Sequence, residues 1–363
     1  QADIIKKHAV DGYLYGRVGE DHFVVIADEA TFNEEHLYEC RETLQNVLSD
    51  SVYNVRVCFG IYRTDNMNES LSFMCDKASF AVASIKDDTH SFIAYYDDTM
   101  LEAAIKYKTI VDEFDDAIKA GEFKMYLQPQ IPAKTRRLTG AEALVRRIKP
   151  DGTIISPIDF IPVYEKSGLI SRLDRYIWEQ AAAKLGEWKK AGINMSISVN
   201  ISPKDFYYID IFNTFAGLIK KYDIEPSNLK IEITETTIMS DVPNLMGELE
   251  ELRKAGFTLE MDDFGSGYSS LNTLKDINVD VLKVDMGFIK ETKNIKKSRI
   301  ILASVIKMAK KLNLLIVTEG VETEEQVDNL TKLGCDVFQG YYFSKAIDVN
   351  EFEKRYLYRK KAG

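Results

Sequence analysis

The chain has 363 residues, a formal net charge of −10, 45% hydrophobic residues and 29% charged residues. This composition is typical of a soluble globular protein, and the length suits two domains. The acidic balance argues against a protein that binds nucleic acid polymers, because such a protein carries a basic face. The sequence contains no run of about 18 apolar residues that would predict a membrane-spanning helix.

The N-terminus is too polar for a signal peptide, and it resembles the middle of a domain. We therefore expect a cytoplasmic piece of a longer protein, whose upstream part could carry a sensor or a membrane segment. The four cysteines form no CxxC pair and no zinc-binding spacing. We expect reduced, mostly buried thiols at these positions: Cys40, Cys58, Cys75 and Cys335.

The histidines bear on the kind of metal the chain could bind. All four lie in the first hundred residues: His8, His22, His36 and His90. A metal site further along the chain must therefore use oxygen ligands from Asp, Glu, Asn or Gln. Such ligands favour Mg²⁺ or Mn²⁺ over zinc.

Taken in chain order, the composition changes near residue 121. All eight prolines fall between Pro129 and Pro243. Just before them, residues 97–121 carry apolar side chains at helical spacing, and Gly121 stands where a helix stop is expected. We predict an N-terminal domain at residues 1–97, a linker helix at 98–120 and a C-terminal domain at 121–363.

The C-terminal part alternates short β-rich runs with longer amphipathic segments. The eight runs are FKMYLQP, LTGAEALVR, NMSISVN, LKIEITE, FTLEMDD, DVLKVD, LLIVTEG and CDVFQGY. Helical patterns separate most of them, for example at 172–190, 244–255 and 298–312. This alternation predicts an α/β fold of the TIM-like (β/α)₈ barrel type, with a doubly wound open sheet as the alternative.

Polar residues end seven of these predicted strands. In a barrel the carboxyl ends of the strands meet at one face, where active sites are built. Each residue alone could simply begin a solvated loop, but converging carboxylates repel unless cations lie between them. The residues are Glu142, Asn200, Glu232, Asp262 with Asp263, Lys283 with Asp285, Glu319, and Gln339.

The adjacent pair Asp262 and Asp263 suits a centre of two divalent cations. One carboxylate can bridge both ions, and its neighbour can complete the second ion's ligands. Such centres catalyse in-line displacement at phosphorus. Lys283 lies in an apolar run, VLKVD, and could orient the attacking hydroxide or neutralise charge in the transition state.

A set of motifs in this part of the chain resembles the EAL-domain family, the cyclic di-GMP phosphodiesterases. AEALVRR at 141–147 resembles the signature that names the family. The other motifs follow in the family's order over about 240 residues. They are LQP at 127–129, SVNIS at 198–202, IEITE at 231–235, MDDFGSGYSSL at 261–271, LKVD at 282–285, TEGVE at 318–322 and QGYYFSK at 339–345.

The resemblance implies a TIM-like barrel with an irregular first strand. It also implies hydrolysis of one phosphodiester of cyclic di-GMP to linear pGpG with Mg²⁺ or Mn²⁺, as part of bacterial signal transduction. The metal ligands that it implies are Glu142, Asn200, Glu232, Asp262, Asp263 and Glu319. Lys283 is then expected to hold and deprotonate the attacking water with Asp285 beside it, while Gln339 supports the centre.

The resemblance further implies roles for residues around this centre. Glu235 and Glu322 resemble acids that order the loop FGSGYSS after Asp263, and that loop typically forms part of a homodimer contact. The positions that resemble nucleotide contacts are Gln128, Leu144, Arg146 and Phe338. Arg146 can pair with a phosphate as a planar fork.

Several positions depart from the family pattern without removing a metal ligand. Arg147 stands where tryptophan is common, and Gln130 stands where an aliphatic residue is common. Tyr164 and Lys166 replace the usual small and acidic residues, and Ser266 replaces the commoner threonine. The first four changes bear on substrate affinity more than on reaction type, so we expect an active enzyme.

The N-terminal part is similar to the last two thirds of a GGDEF domain, in a truncated and degenerate form. GRVGEDHFVVIADE resembles the family's hairpin, but Glu20 and His22 replace a glycine and an acid. The family's hairpin needs glycine at the position of Glu20, because a side chain there blocks the approach of a triphosphate. The inhibitory RxxD motif is not matched at 10–13, so we expect no cyclase activity and a regulatory role at most.

Three rival functions make different predictions. A catalytically silent cyclic di-GMP receptor predicts tight binding without turnover. A Schiff-base aldolase predicts that borohydride traps a carbonyl substrate on Lys283, although the surrounding acids should keep that lysine protonated. A purely structural signalling module predicts that Glu142→Ala leaves every output unchanged.

Overall fold

The computed structural model describes residues 13–19, 22–48, 56–64, 66, 68–86, 88, 90–240, 242, 244–265, 274, 277–285 and 295–358. The chain divides into two compact units, Gln1–Thr109 and Ile110–Gly363. No helix in these described ranges combines the length and the apolar composition needed to cross a membrane. All four cysteines are free thiols; Cys40 and Cys335 are buried, and the other two are half-buried.

The N-terminal unit is an α+β region with two small sheets. Strands β1 and β2 pair as an antiparallel hairpin, with Tyr15 opposite Val25, while β3 and β4 pair in parallel. The turn residues 20 and 21 of the GGDEF-like hairpin lie outside the described residues, and so do residues 10–12 of the RxxD position. The elements are β1 (Leu14–Arg17), β2 (Phe23–Ile26), α1 (Glu35–Leu48), β3 (Phe59–Ile61), α2 (Leu71–Ser84) and β4 (Ile93–Tyr95).

The predicted linker is interrupted rather than a single helix. It consists of α3 (Asp98–Asp112) and α4 (Phe114–Lys119), with one turn residue, Glu113, between them. The residue at the interruption forms an ion pair: the Glu113 carboxylate lies 2.7 Å from the Arg147 guanidinium. The compact units divide at residues 109 and 110, inside α3.

The second unit contains a closed barrel of eight strands, which confirms the predicted TIM-like α/β architecture. The hydrogen-bonded order is β5, β13, β12, β11, β10, β9, β8, β6, and β6 pairs back to β5 to close the ring. The strands are β5 (Phe123–Pro132), β6 (Gly140–Ile148), β8 (Ser196–Ile201), β9 (Leu229–Thr234), β10 (Leu259–Asp262), β11 (Val281–Asp285), β12 (Leu315–Glu319) and β13 (Val337–Phe338).

The first barrel strand differs from a regular TIM barrel. β5 runs antiparallel to both of its neighbours, β6 and β13, whereas the other adjacent barrel pairs are parallel. No helix separates β5 from β6, because residues 133–139 form a short connection between them. An antiparallel pair needs only a short connection, whereas a parallel pair needs a crossover.

Two short strands and a set of helices surround the barrel. β7 (Ile154–Ile155) pairs with β6, and β14 (Ile347–Asp348) pairs with β5. The predicted helices at 172–190, 244–255 and 298–312 correspond to α6, α10 and α11. The helices are α5 (Pro157–Ser167), α6 (Ile170–Lys190), α7 (Asp205–Tyr208), α8 (Ile211–Tyr222), α9 (Glu235–Met239), α10 (Leu245–Lys254), α11 (Ile295–Lys311), α12 (Glu324–Leu333) and α13 (Val349–Phe352).

Local sequence explains where these helices begin. Asp210 accepts a hydrogen bond from the Asn213 amide at the start of α8, and Thr323 with Gln326 forms a capping box before α12. Such caps satisfy amide groups that have no partner within the helix. Each of these two helices then buries one apolar face, for example Phe215 and Leu218 of α8.

Two of the departures from the family pattern lie in the core. Arg147 is buried, pairs with Glu122 at 2.9 Å as well as with Glu113, and stacks its guanidinium on Phe123. Tyr164 is fully buried in the aromatic cluster that also contains Phe123, and burial raises its pKa to about 12. These residues act on stability, since they pack between β5, β6 and the flanking helices.

We expect Arg147→Ala to destabilise the protein by about 3 kcal/mol, because the change removes a buried guanidinium and leaves the mostly buried carboxylate of Glu122 without its partner. Thermal or urea unfolding measures this change. Burial opposes ionisation of Glu113, but Arg147 lowers its pKa below the ordinary value. The pair's stabilisation is therefore fully present above the ordinary glutamate pKa of about 4.3 and is lost as the pH falls through the lower pKa of Glu113 in the folded protein, where the difference between wild type and variant should shrink. An equal difference at pH 3 and pH 7 contradicts this assignment.

Candidate active site

The candidate site is built where the barrel strands end. Asn200 and Glu232 are direct neighbours on β8 and β9, and Asp285 and Glu319 are neighbours on β11 and β12. Asp262 is the last residue of β10. Because alternate residues of a strand point to one face, these side chains gather at the carboxyl end of the barrel, where Glu232 is fully buried and Asp285 is exposed.

Glu142 reaches this group in a way that its sequence position does not suggest. It is the third residue of β6, not its last. The pairing of β6 with β8 stops at Glu142, opposite Ser198, while β6 continues beside the antiparallel β5. Glu142 is therefore at the carboxyl end of the barrel, although its strand extends six residues further.

Lys283 lies at the centre of the acidic cluster. Its side chain is fully buried, and its Nζ lies 2.6 Å from Glu232 and 2.7 Å from Glu319. Asp262 and Glu142 follow at 3.1 and 3.5 Å. Burial opposes protonation of Lys283, but the four carboxylates, Glu142 foremost, raise its pKa well above the ordinary value. Lys283 is therefore a buried ammonium ion.

The carboxylates around Lys283 repel one another. Burial raises the pKa of Glu232 well above its usual range, and the Glu142 charge adds to the effect. Burial likewise raises the pKa of Glu319 to about 8. Burial and the neighbouring Asp262 raise the pKa of Asp263. Burial is the largest cause of all three shifts, and repulsion between the neighbouring acids adds to it, while the single ammonium group of Lys283 opposes the increase.

The geometry of the acids fits divalent cations. Glu142, Glu232 and Asp262 each offer a carboxylate oxygen, and these three oxygens lie within 4.8 Å of one another. Within the described part of the chain, Glu232 Oε1 is buried without a hydrogen-bond donor. Oxygen donors at this spacing with an excess of negative charge are what Mg²⁺ or Mn²⁺ requires.

A network of amide side chains holds Glu142 in place. Asn200 Nδ2 donates to Glu142 Oε1 at 3.4 Å, and Gln339 Nε2 donates to Glu142 Oε2. Gln130 donates to Gln339 Oε1 at 3.2 Å, and Gln339 donates to Gln128 Oε1 at 3.3 Å. The departure at Gln130 thus supports the orientation of Gln339, a contact that an aliphatic residue cannot make.

The turn after β10 positions the second aspartate. Asp263 has a positive φ of 56°, and its amide donates to Asp262 Oδ1 at 2.8 Å. Asp is among the few non-glycine residues that tolerate this conformation. The Gly265 amide donates to the carboxylate of Glu235, the first residue of α9, at 3.2 Å. Residues 266–270 of the loop, Ser266 included, lie outside the described residues.

The remaining predicted residues differ in burial and in their local contacts. Glu322 is exposed before α12, where its amide donates to Gln326. Leu144 and Arg146 are half-buried on β6, and burial lowers the pKa of Arg146. Phe338 is fully buried and stacks on Phe343, with ring centroids 6.4 Å apart. Their roles in catalysis or nucleotide binding stay predictions.

Sequence reasoning missed three residues of the barrel interior: Ser198, Lys230 and Glu260. Glu260 is fully buried and accepts hydrogen bonds from Ser198 Oγ at 2.9 Å and Lys230 Nζ at 2.8 Å. The period of two along a strand was the available signal, because each residue lies two positions before a predicted metal ligand.

Comparison with known proteins identifies the family. The EAL domain profile matches residues 111–346, well over half of the chain. The chain belongs to the EAL domain family. The profile match covers the barrel and ends before α13, so the family assignment applies to the second unit.

Relatives of this EAL domain protein are longer than the chain. Signaling protein YkoW of Bacillus subtilis is 31% identical over 350 residues, which are 95% of this chain and 44% of YkoW. Probable cyclic di-GMP phosphodiesterase PdeG of Escherichia coli is 37% identical over 252 residues, 68% of this chain and 48% of PdeG. The chain spans about half the length of the curated relatives it matches.

Solved structures resemble the same region. The PaMucR phosphodiesterase in complex with c-di-GMP superposes with a TM-score of 0.63 at 32% identity, covering 67% of this chain and 99% of that one. An EAL domain protein from Listeria monocytogenes superposes with a TM-score of 0.56 at 32% identity, covering 68% of this chain and 97% of the other. Both similarities span about the size of the EAL domain alone.

Proposed function

We propose that the EAL domain hydrolyses one phosphodiester bond of cyclic di-GMP to give linear pGpG, and thereby lowers the level of this bacterial second messenger. The observation that carries the proposal is Lys283, a buried ammonium ion within 3.5 Å of four carboxylates at the carboxyl end of the barrel. The names of PdeG and PaMucR support the substrate.

We propose that two Mg²⁺ or Mn²⁺ ions bind at this cluster. When bound, two such ions activate water and stabilise the charge that develops on the phosphodiester oxygens. The proposed ligands are those predicted from the sequence: Glu142, Asn200, Glu232, Asp262, Asp263 and Glu319. The buried, donor-free Glu232 Oε1 supports this assignment.

The side chains around the cluster have separate roles in the proposed reaction. An ammonium group donates hydrogen bonds but accepts no proton, so we assign to Lys283 the holding of the attacking water. The proton of that water passes to a carboxylate, and we assign this role to Asp285, at the end of the same strand. Gln339 keeps Glu142 oriented, and Glu235 holds the loop at Gly265. Glu322 has the same loop-ordering role in this proposal.

The substrate contacts follow from the hairpin that rises beside the cluster. Gln128 and Glu142 are direct neighbours across β5 and β6. Leu144 and Arg146 lie further along β6, so Arg146 can pair with a phosphate of the nucleotide. We retain Phe338 as a contact of the nucleotide on the strength of the family resemblance alone.

Other properties are proposed on the family resemblance. We propose a homodimer through the EAL domain, which light scattering of the purified chain tests. The N-terminal region is proposed to be a degenerate GGDEF domain with a regulatory role and no cyclase activity. We propose a cytoplasmic location for the chain.

Incubation of the purified chain with cyclic di-GMP and Mg²⁺ or Mn²⁺, followed by ion-exchange chromatography, tests the activity. We expect pGpG to form and EDTA to stop its formation. Saturable nucleotide binding without product, with either metal, contradicts the proposal and indicates a silent receptor. Products other than pGpG contradict the reaction assigned here.

A further inference from the structure

A buried ion pair lies beneath the acidic cluster and has no part in the proposed reaction. Glu260 of β10 accepts from Lys230 of β9 at 2.8 Å and from Ser198 of β8 at 2.9 Å. Glu260 is 0% exposed. The interior of a TIM barrel is usually filled by layers of branched apolar side chains. A charged layer here therefore needs a reason.

Glu260 faces a proposed metal ligand directly. Glu260 and Glu232 are partners in the register of β10 and β9. Adjacent strands lie about 4.8 Å apart, so the two carboxyl groups stand side by side on the interior face. Glu232 Oε2 accepts from Lys283 at 2.6 Å, while its Oε1 has no hydrogen-bond donor among the described residues.

The contacts of Glu260 explain why Glu232 stays directed at the cluster. Both Glu260 oxygens are already engaged, Oε1 by Lys230 and Oε2 by Ser198. When Glu232 is ionised, the negative charge of Glu260 disfavours movement of the Glu232 carboxylate toward the layer below, since like charges repel.

We propose that Glu260 is a positioning residue for the cation site, which engages Lys230 and holds the Glu232 carboxylate toward the divalent cations. The inference rests on the proposed function, because it concerns the same cluster. Lys230 offsets the desolvation cost of the buried Glu260 charge, because its ammonium group pairs with that carboxylate.

The test is Glu260→Gln, with Mn²⁺ binding measured by electron paramagnetic resonance of the free ion. We expect binding of Mn²⁺ to weaken by about tenfold, the effect typical of residues that orient metal ligands. We expect kcat to fall with it, while KM for cyclic di-GMP stays near the wild-type value. Glu353→Gln is the matched control, because Glu353 pairs with Lys184 at 3.3 Å outside the barrel interior.

A second variant separates positioning from folding. Lys230→Met combined with Glu260→Gln removes both charges of the pair, so stability should return toward the wild-type value. We expect the double variant to bind Mn²⁺ as weakly as the single one. Wild-type Mn²⁺ affinity in a folded Glu260→Gln or double variant overturns the inference, because the pair then serves only to fill the barrel.

The wild-type protein distinguishes the two proposals. If it binds Mn²⁺ and hydrolyses cyclic di-GMP while Glu260→Gln matches it in both, only the role of Glu260 is wrong. If the wild-type chain binds no Mn²⁺, the proposed function fails and the role of Glu260 fails with it.

Discussion

Lys283→Met is expected to abolish hydrolysis of cyclic di-GMP, lowering turnover by about 10³-fold or more, while the barrel stays folded. Lys283 Nζ lies within 3.5 Å of Glu142, Glu232, Asp262 and Glu319, and the methionine keeps most of its volume. The variant loses the group to which we assign the holding of the attacking water, and with it the positive charge that compensates the acids. Chromatographic rates of pGpG formation at saturating Mg²⁺ measure the effect.

The stability of the same variant gives an independent readout. Without the ammonium group, the four carboxylates are compensated only by protons or added cations. Addition of Mg²⁺ should therefore raise the melting temperature more for Lys283→Met than for the wild type. Lys310→Met is the matched control, since Lys310 lies on the outer helix α11 and pairs there with Asp336, away from the cluster. Turnover of Lys283→Met within tenfold of the wild type would show that the assignment is wrong.

Glu142→Gln is expected to weaken cation binding and hydrolysis together. Glu142 is 6% exposed and supplies one of the three carboxylate oxygens that lie within 4.8 Å of one another. Glutamine keeps the shape and can still pair with Asn200, but it lacks the charge that a divalent cation needs. We expect Mn²⁺ affinity to fall at least about tenfold and pGpG formation to fall about 10³-fold.

The design of this second test follows from the geometry of the cluster. Asp262→Asn should behave in the same way, because Asp262 belongs to the same group of three oxygens. Glu179→Gln is the control, since Glu179 of α6 and Lys221 of α8 form an ion pair at the protein surface. Unfolding curves should stay near the wild-type curve for all three variants. Near-normal turnover in Glu142→Gln, with the protein folded, excludes it as a metal ligand.

Much of the barrel could be predicted from periodicity. Each of the eight predicted β-rich runs overlaps one strand of the barrel, and three predicted helices correspond to α6, α10 and α11. These elements have strong local signals, namely apolar runs bounded by turns and apolar residues at helical spacing. The sequence did not predict the interruption at Glu113, because it coincides with an ion pair to Arg147, 34 residues away in the chain.

The direction of the first strand could not be read from residue types. FKMYLQP is an apolar run whether its neighbours are parallel or antiparallel, since side chains alternate in both cases. The resemblance to a known family implied an irregular first strand, and the structure shows an antiparallel one. This direction allows β6 to extend past the barrel and leaves Glu142 near the start of its own strand.

The candidate site, like the fold, could be predicted from the sequence only in part. Glu232, Asp262 and Glu319 could be identified as members of one cluster because each stands at or near the end of a predicted strand. Their distances to Lys283 could not be predicted, because these depend on how the strands are staggered around the barrel. Glu260 was overlooked for a related reason, since only the closed barrel shows that its charge is buried.

The sequence by itself determined the fold class, the strands that carry the acids and the carboxylate and amide composition of the candidate site. These follow from local patterns and from residue types, which do not depend on the rest of the fold. Tertiary structure alone decided that Lys283 stands among four acids, that Gln130 supports Gln339 and that Lys230 pairs with Glu260. Those contacts join strands that are distant in the chain, and closure of the barrel brings them together.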